Sequence, residues 1–137
     1  MTTPYAALLS VREVEEHQAE AAFAAASRDV DVLAALVQRL ADARAAWLAG
    51  ELGNAADTLR GLETAERAAE RRLADAERVA AQARAALIDC QRQRKVVEEL
   101  HVNALAVEAR AGARREQMEL DELGSRAARD FAAGGSR

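Results

Sequence analysis

Glu98-Glu99-Leu100-His101 sets a carboxylate and an imidazole three residues apart, the Glu-x-x-His spacing with which di-iron helical bundles hold metal. Such a bundle needs the motif twice, and the chain has it once: the residue three before His17, the other histidine, is Val14. His17, Cys90 and His101 are too scattered for zinc-ligand spacing. Glu15 with Glu16, and Glu98 with Glu99, pair carboxylates as solvated helix faces commonly do; acid–base chemistry would also need a cleft to shift a pKa. No glycine-rich phosphate loop, nucleophile elbow or triad pattern appears. Cys90 stands in a column of alanines, where a small packing residue is expected. The expectation is a protein without enzymatic activity, metal or cofactor.

The elements that carry these residues are long helices. From Ala55 to Phe131 the chain has no proline and is built mainly of Ala, Arg, Glu, Leu and Gln, strong helix formers. A helix of that length would extend ~110 Å. Ahead of it, Thr3-Pro4 reads as an N-cap followed by the residue favoured at the first helical position. A period near 3.5 then places Tyr5, Ala19, Ala26, Leu33, Leu40 and Trp47 in one column, with Trp47 as a plug near the apex. Leu8, Ala22, Leu36 and Ala43 form the alternating column, Leu9, Phe23, Val30 and Val37 widen the stripe, and Arg12, Glu15 and Asp29 interrupt it. A stripe this imperfect suits one partner helix.

The segment Ala49-Gly50-Glu51-Leu52-Gly53-Asn54 is the one convincing break. Gly50 can close the first helix in a left-handed conformation, and Asn54 with Asp57 can open the second. So short a turn makes the helices antiparallel neighbours. The fold class expected is all-α: an antiparallel two-helix coiled-coil hairpin with a longer second helix. The helices should span about 4–49 and about 55–131, with the turn at about 50–54 and a disordered tail at 132–137.

In the second helix Leu62, Ala69, Ala76, Ala83, Cys90, Val97, Ala104, Ala111 and Met118 recur every seventh residue. The companion column begins with Leu59, Leu73, Ala80 and Leu87, then turns polar with Arg94, His101, Glu108 and Arg115. Folding about residue 52 exhausts the first helix opposite about residue 100. The remainder of the second helix, which includes Gly112, is expected to lack an intramolecular partner.

Composition narrows the function. Half of the residues are hydrophobic, but much of that fraction is alanine, and only 3% are aromatic, so no wide globular core is expected. The net charge of −4 with interspersed signs argues against a nucleic-acid groove. A single cysteine suits a reducing compartment, and no signal peptide or membrane-spanning run is recognisable. The expected location is cytoplasmic, with no direct membrane insertion.

Residues 92–123, RQRKVVEELHVNALAVEARAGARREQMELDEL, have a basic Arg-x-Arg-Lys entry, a Glu-Glu-Leu step and a closing Gln-Met-Glu-Leu-Asp-Glu-Leu. This resembles the C-terminal signature of the FliJ family, stalk proteins of flagellar type III export, related to YscO-type injectisome proteins. Gln117, Leu120, Asp121 and Glu122 carry it most strongly, and Leu8, Leu9, Arg12 and Glu13 resemble the family's opening. The chain departs from the family in its alanine- and arginine-rich second helix, with Lys95 the only lysine, and in its more apolar residues 101–113.

The resemblance implies a stalk that inserts into the hexameric flagellar export ATPase and promotes its assembly and activity. It also implies contact with the cytoplasmic domain of the export gate, escort of export chaperones, and a peripheral place on the inner-membrane export apparatus. Candidate ATPase-binding residues are Arg94, Arg110, Arg114, Arg115, Gln117, Asp121 and Glu122. The family's gate-binding face maps onto Leu59, Leu62, Ala65 and Ala69, which can equally be plain coiled-coil seam. The alternatives are an injectisome stalk of the YscO type and a self-associating coiled-coil spacer without an ATPase partner.

Overall fold

The computed structural model describes residues 3–50 and 56–134. These form two α-helices, α1 (Ala6–Leu48, 43 residues) and α2 (Ala56–Gly134, 79 residues). The described residues contain no strand, and the helices pack against each other as a helical hairpin. Residues 51–55, which include the expected cap Asn54, lie outside the described residues, as do 135–137 of the expected tail. α2 continues to Gly134, three residues past the expected helix end.

Local chemistry accounts for the ends of α1. The Thr3 hydroxyl accepts a hydrogen bond from the Tyr5 amide at 3.3 Å, and the Thr3 carbonyl accepts one from Ala6 at 3.1 Å. Thr3 therefore acts as the N-cap, with Pro4 following where a missing N–H costs nothing. At the other end the Gly50 amide donates to the Trp47 carbonyl at 3.0 Å, and Gly50 has φ 81°, the left-handed conformation that closes a helix. α2 starts with Asp57 in its first turn, beside the exposed N–H groups, and Asp57 pairs with Arg60 at 2.7 Å.

By contact, the chain divides into two compact units. In the first, residues 11–94, the helices run antiparallel: Arg44 of α1 pairs with Glu66 of α2 at 3.0 Å, and Glu16 pairs with Arg94. Arg12 bridges Glu15 on its own helix at 3.0 Å and Gln93 on α2 at 3.1 Å. The α2 seam holds Leu59, Leu62, Glu66, Ala69, Leu73, Ala76, Ala80, Ala83, Leu87, Cys90 and Arg94, an unbroken alternation of three and four.

On α1 Leu36 and Ala43 of the expected alternating column are half-buried, but Ala22 departs from it. Ala22 is exposed, whereas Phe23, Val30 and Val37 are half-buried with Glu16 in the same column. Beside a fixed column, a helix can add its partner at a spacing of three or four. Turning Phe23 inward in place of Ala22 removes more apolar surface from water. The same choice appears in the other unit, where Leu9 is half-buried and Leu8 exposed.

The second unit comprises residues 1–10 with 95–137. Here Val97 is buried, and Thr3, also buried, bonds the His101 Nδ1 at 2.5 Å through its hydroxyl. Ala104, Glu108 and Gly112 are half-buried, and every residue from 113 to 134 is exposed.

The core is thin. Among the described residues the buried apolar side chains are Ala26, Ala69 and Val97, and no large side chain is fully enclosed. Ala69→Leu is expected to overpack the seam and cost about 1–3 kcal/mol. Ala111→Leu, at an exposed position, should change stability by less than about 0.5 kcal/mol. Thermal unfolding followed by circular dichroism separates the two. Thr3→Val removes both the cap and the His101 bond, and is expected to speed amide exchange in the first turn of α1 at a cost of about 1–2 kcal/mol.

Candidate functional site

The exposed reach of α2 holds most of the residues singled out for partner binding. Arg110, Arg114, Arg115, Gln117, Asp121 and Glu122 are all exposed. Their polar groups make short contacts along the helix itself: Arg110 Nε to the Ala106 carbonyl at 3.4 Å, Gln117 to Asp121 at 2.9 Å, and Glu122 with Arg126 at 2.9 Å. Such i,i+4 pairs support an exposed helix by ~0.2–0.5 kcal/mol each and are readily exchanged for a partner's groups. Arg94 stands apart from this set. It lies in the seam of the other unit and pairs with Glu16, so it holds the hairpin together there.

The gate-binding candidates divide by burial. Ala69 is buried, Leu59 and Leu62 are half-buried, and Ala65 is exposed. Only Ala65 of the four therefore offers a side chain that the seam does not use.

Beyond Met118, which continues the seam column, the large apolar side chains of the exposed reach lie off the sevenfold columns. Leu120, Leu123 and Phe131 are exposed, the last at 84%. With Ala127 they recur at spacings of three, four and four, which sets them along one side of the helix. Ala111 and Met118, the last members of the sevenfold column, are exposed as well. The signal for the other set was apolar residues out of frame with Leu62 to Ala104.

Glu98 and His101 do not gather into a metal site. Among the described residues no group of three or more His, Cys, Asp or Glu side chains is placed to hold an ion. His101 directs its Nδ1 to the Thr3 hydroxyl.

A family model described as the flagellar FliJ protein matches residues 1–131. The chain belongs to the FliJ family. No curated protein and no solved structure matches it. FliJ membership makes the chain a component of flagellar protein export. No helix among the described residues is long and apolar enough to cross a membrane.

The exposed reach has few contacts to protect it, and local opening is easiest where contacts are few. Limited trypsin digestion is therefore expected to cut first after Arg114, Arg115, Arg126 and Arg129. Cleavage after Arg44 and Arg94, whose guanidinium groups are tied across the seam, should lag behind. Mass spectrometry of early digestion products checks the order.

Proposed function

We propose that this chain is the stalk of the flagellar type III export apparatus. It inserts the exposed reach of α2 into the hexameric export ATPase, promotes ring assembly and hydrolysis, and couples the ATPase to the cytoplasmic domain of the export gate. It also escorts export chaperones, and works from the cytoplasm at the periphery of the inner-membrane apparatus. Hydrolysis belongs to the partner.

The observation that carries this reading is the stretch from 113 to 134, helical and exposed at every residue, in a chain matched over residues 1–131 to the FliJ family. A slender helix carrying both signs of charge fits a pore whose subunits present changing faces. Arg115, Gln117, Asp121 and Glu122 supply groups that can exchange their along-helix partners for those of the ATPase. Arg114 adds positive charge to the same stretch, and exposed Arg110 lies just before it. At the other contact, the early part of α2 around Leu59, Leu62, Ala65 and Ala69 meets the gate, with Ala65 outermost. The flagellar description of the matching family favours a flagellar system over an injectisome of the YscO type.

The thin core favours a second reading, a coiled-coil spacer that self-associates to gain buried area. The readings separate in one assay: ATP hydrolysis by the same organism's flagellar export ATPase at increasing ratios of this protein. A stalk raises the rate and the hexamer fraction. Truncation after Gly112 removes the effect while retaining Val97, His101 and Glu108. Asp121→Arg with Arg115→Glu is expected to weaken ATPase binding at least tenfold with unchanged helicity, as both side chains are exposed. No change in rate or assembly, together with concentration-dependent self-association, would establish the spacer.

A further inference from the structure

Within residues 11–94, the seam combines two features that bear on how α1 and α2 stay in register. The first is its sameness. α2 presents Ala69, Ala76, Ala83 and Cys90 at sevenfold spacing, all small and all turned inward. Displacing α1 by one heptad puts a small residue where a small residue was, so packing in this column scarcely distinguishes neighbouring registers.

The second feature is charge. Glu16 and Arg44 on α1 pair with Arg94 and Glu66 on α2. Each Glu lies four heptads before the Arg of its own helix, Glu16 before Arg44 and Glu66 before Arg94. The antiparallel pairing therefore satisfies both charged layers in a single register. Displacement by a heptad gives Arg44 either Leu59 or Leu73 in place of Glu66. In one direction it also gives Glu16 Leu87 in place of Arg94. Arg44 itself is exposed, so the cost falls on Glu16 and Glu66, whose side chains are each 13% exposed and would be left without their arginines. Polar residues in a seam act this way, choosing a register at some cost in stability.

We propose that Glu16–Arg94 and Arg44–Glu66 are two register pins bracketing an alanine slideway, and that opening one pin lets α1 move along α2 by a heptad. The pins sit ~42 Å apart along the helix. A partner charge that competes for one pin is thereby felt at the other through the register of the seam, with both helices intact. This device depends only on the seam and stands whether or not the ATPase is the partner.

Flanking positions report the register without disturbing the core. Ser27 and Arg84 line one groove between the helices, and Glu77 and Gln91 are the heptad mates of Arg84 on α2. In a Cys90→Ala chain, Ser27→Cys is combined in turn with Arg84→Cys, Glu77→Cys or Gln91→Cys, and oxidised at high dilution. With both pins present, the Arg84→Cys combination should cross-link and the other two should not. Neutralising one pin, by Arg44→Gln with Glu66→Gln or by Glu16→Gln with Arg94→Gln, should raise a displaced cross-link at least tenfold. The reversed pin, Glu16→Arg with Arg94→Glu, should restore the original pattern and guards against misfolding of the neutral variants. Displaced cross-links with both pins intact, none with a pin removed, or failure of the reversed pin to restore the pattern would each overturn the proposal.

Discussion

Alanine set against a neighbouring helix lets two backbones approach closely while removing little surface from water, and the hairpin is organised around that shortage. Ala26 and Ala69 are buried, yet the Leu, Val and Phe residues around them within residues 11–94 remain half-exposed. A seam so close to solvent can admit charge at core positions. Glu16 and Glu66 occupy columns otherwise filled by Phe23, Leu59 and Leu73, and each has an arginine across the seam. In a deeper core, desolvating these ions would outweigh their attraction. Here water stays near, the penalty falls, and the ions contribute direction that alanine lacks.

Much of this was legible in the sequence because helix propensity and chain reversal are local properties. Gly50, Thr3-Pro4 and the proline-free run beyond Ala55 announce two helices of unequal length. The sevenfold column from Leu62 to Ala104 lies inside as its spacing implied. Which of two adjacent stripe residues turns inward was not legible at Leu8 and Leu9 or at Ala22 and Phe23, where both satisfy the period. Nor was the purpose of the polar companions. Arg94 and His101 read as the fading of a seam, but they have partners in Glu16 and Thr3, which stand 78 and 98 residues away in the chain. The period of one helix carries no information about what faces it from another.

The proposed partner surface shows the same limit. Arg115, Gln117, Asp121 and Glu122 are exposed, as residues beyond the end of α1 should be. Ala111 and Met118 continue the apolar column but are exposed, as expected of a reach without an intramolecular partner. Leu120, Leu123 and Phe131 obey no seam, and their exposure follows from geometry rather than pattern. Burial of Ala69 beside exposed Ala65 shows how one face of α2 can serve the hairpin while its flank remains free for another protein.

The absence of lateral support from 113 to 134 also has a mechanical meaning. Bending stiffness rises steeply with the width of a beam, so a lone helix flexes under loads that a packed pair resists. α2 has no proline to kink it, and Gln117–Asp121 and Glu122–Arg126 brace successive turns along its surface. This stretch therefore behaves as an elastic shaft: it absorbs misalignment by curving smoothly while its continuous backbone hydrogen bonds still carry torsion.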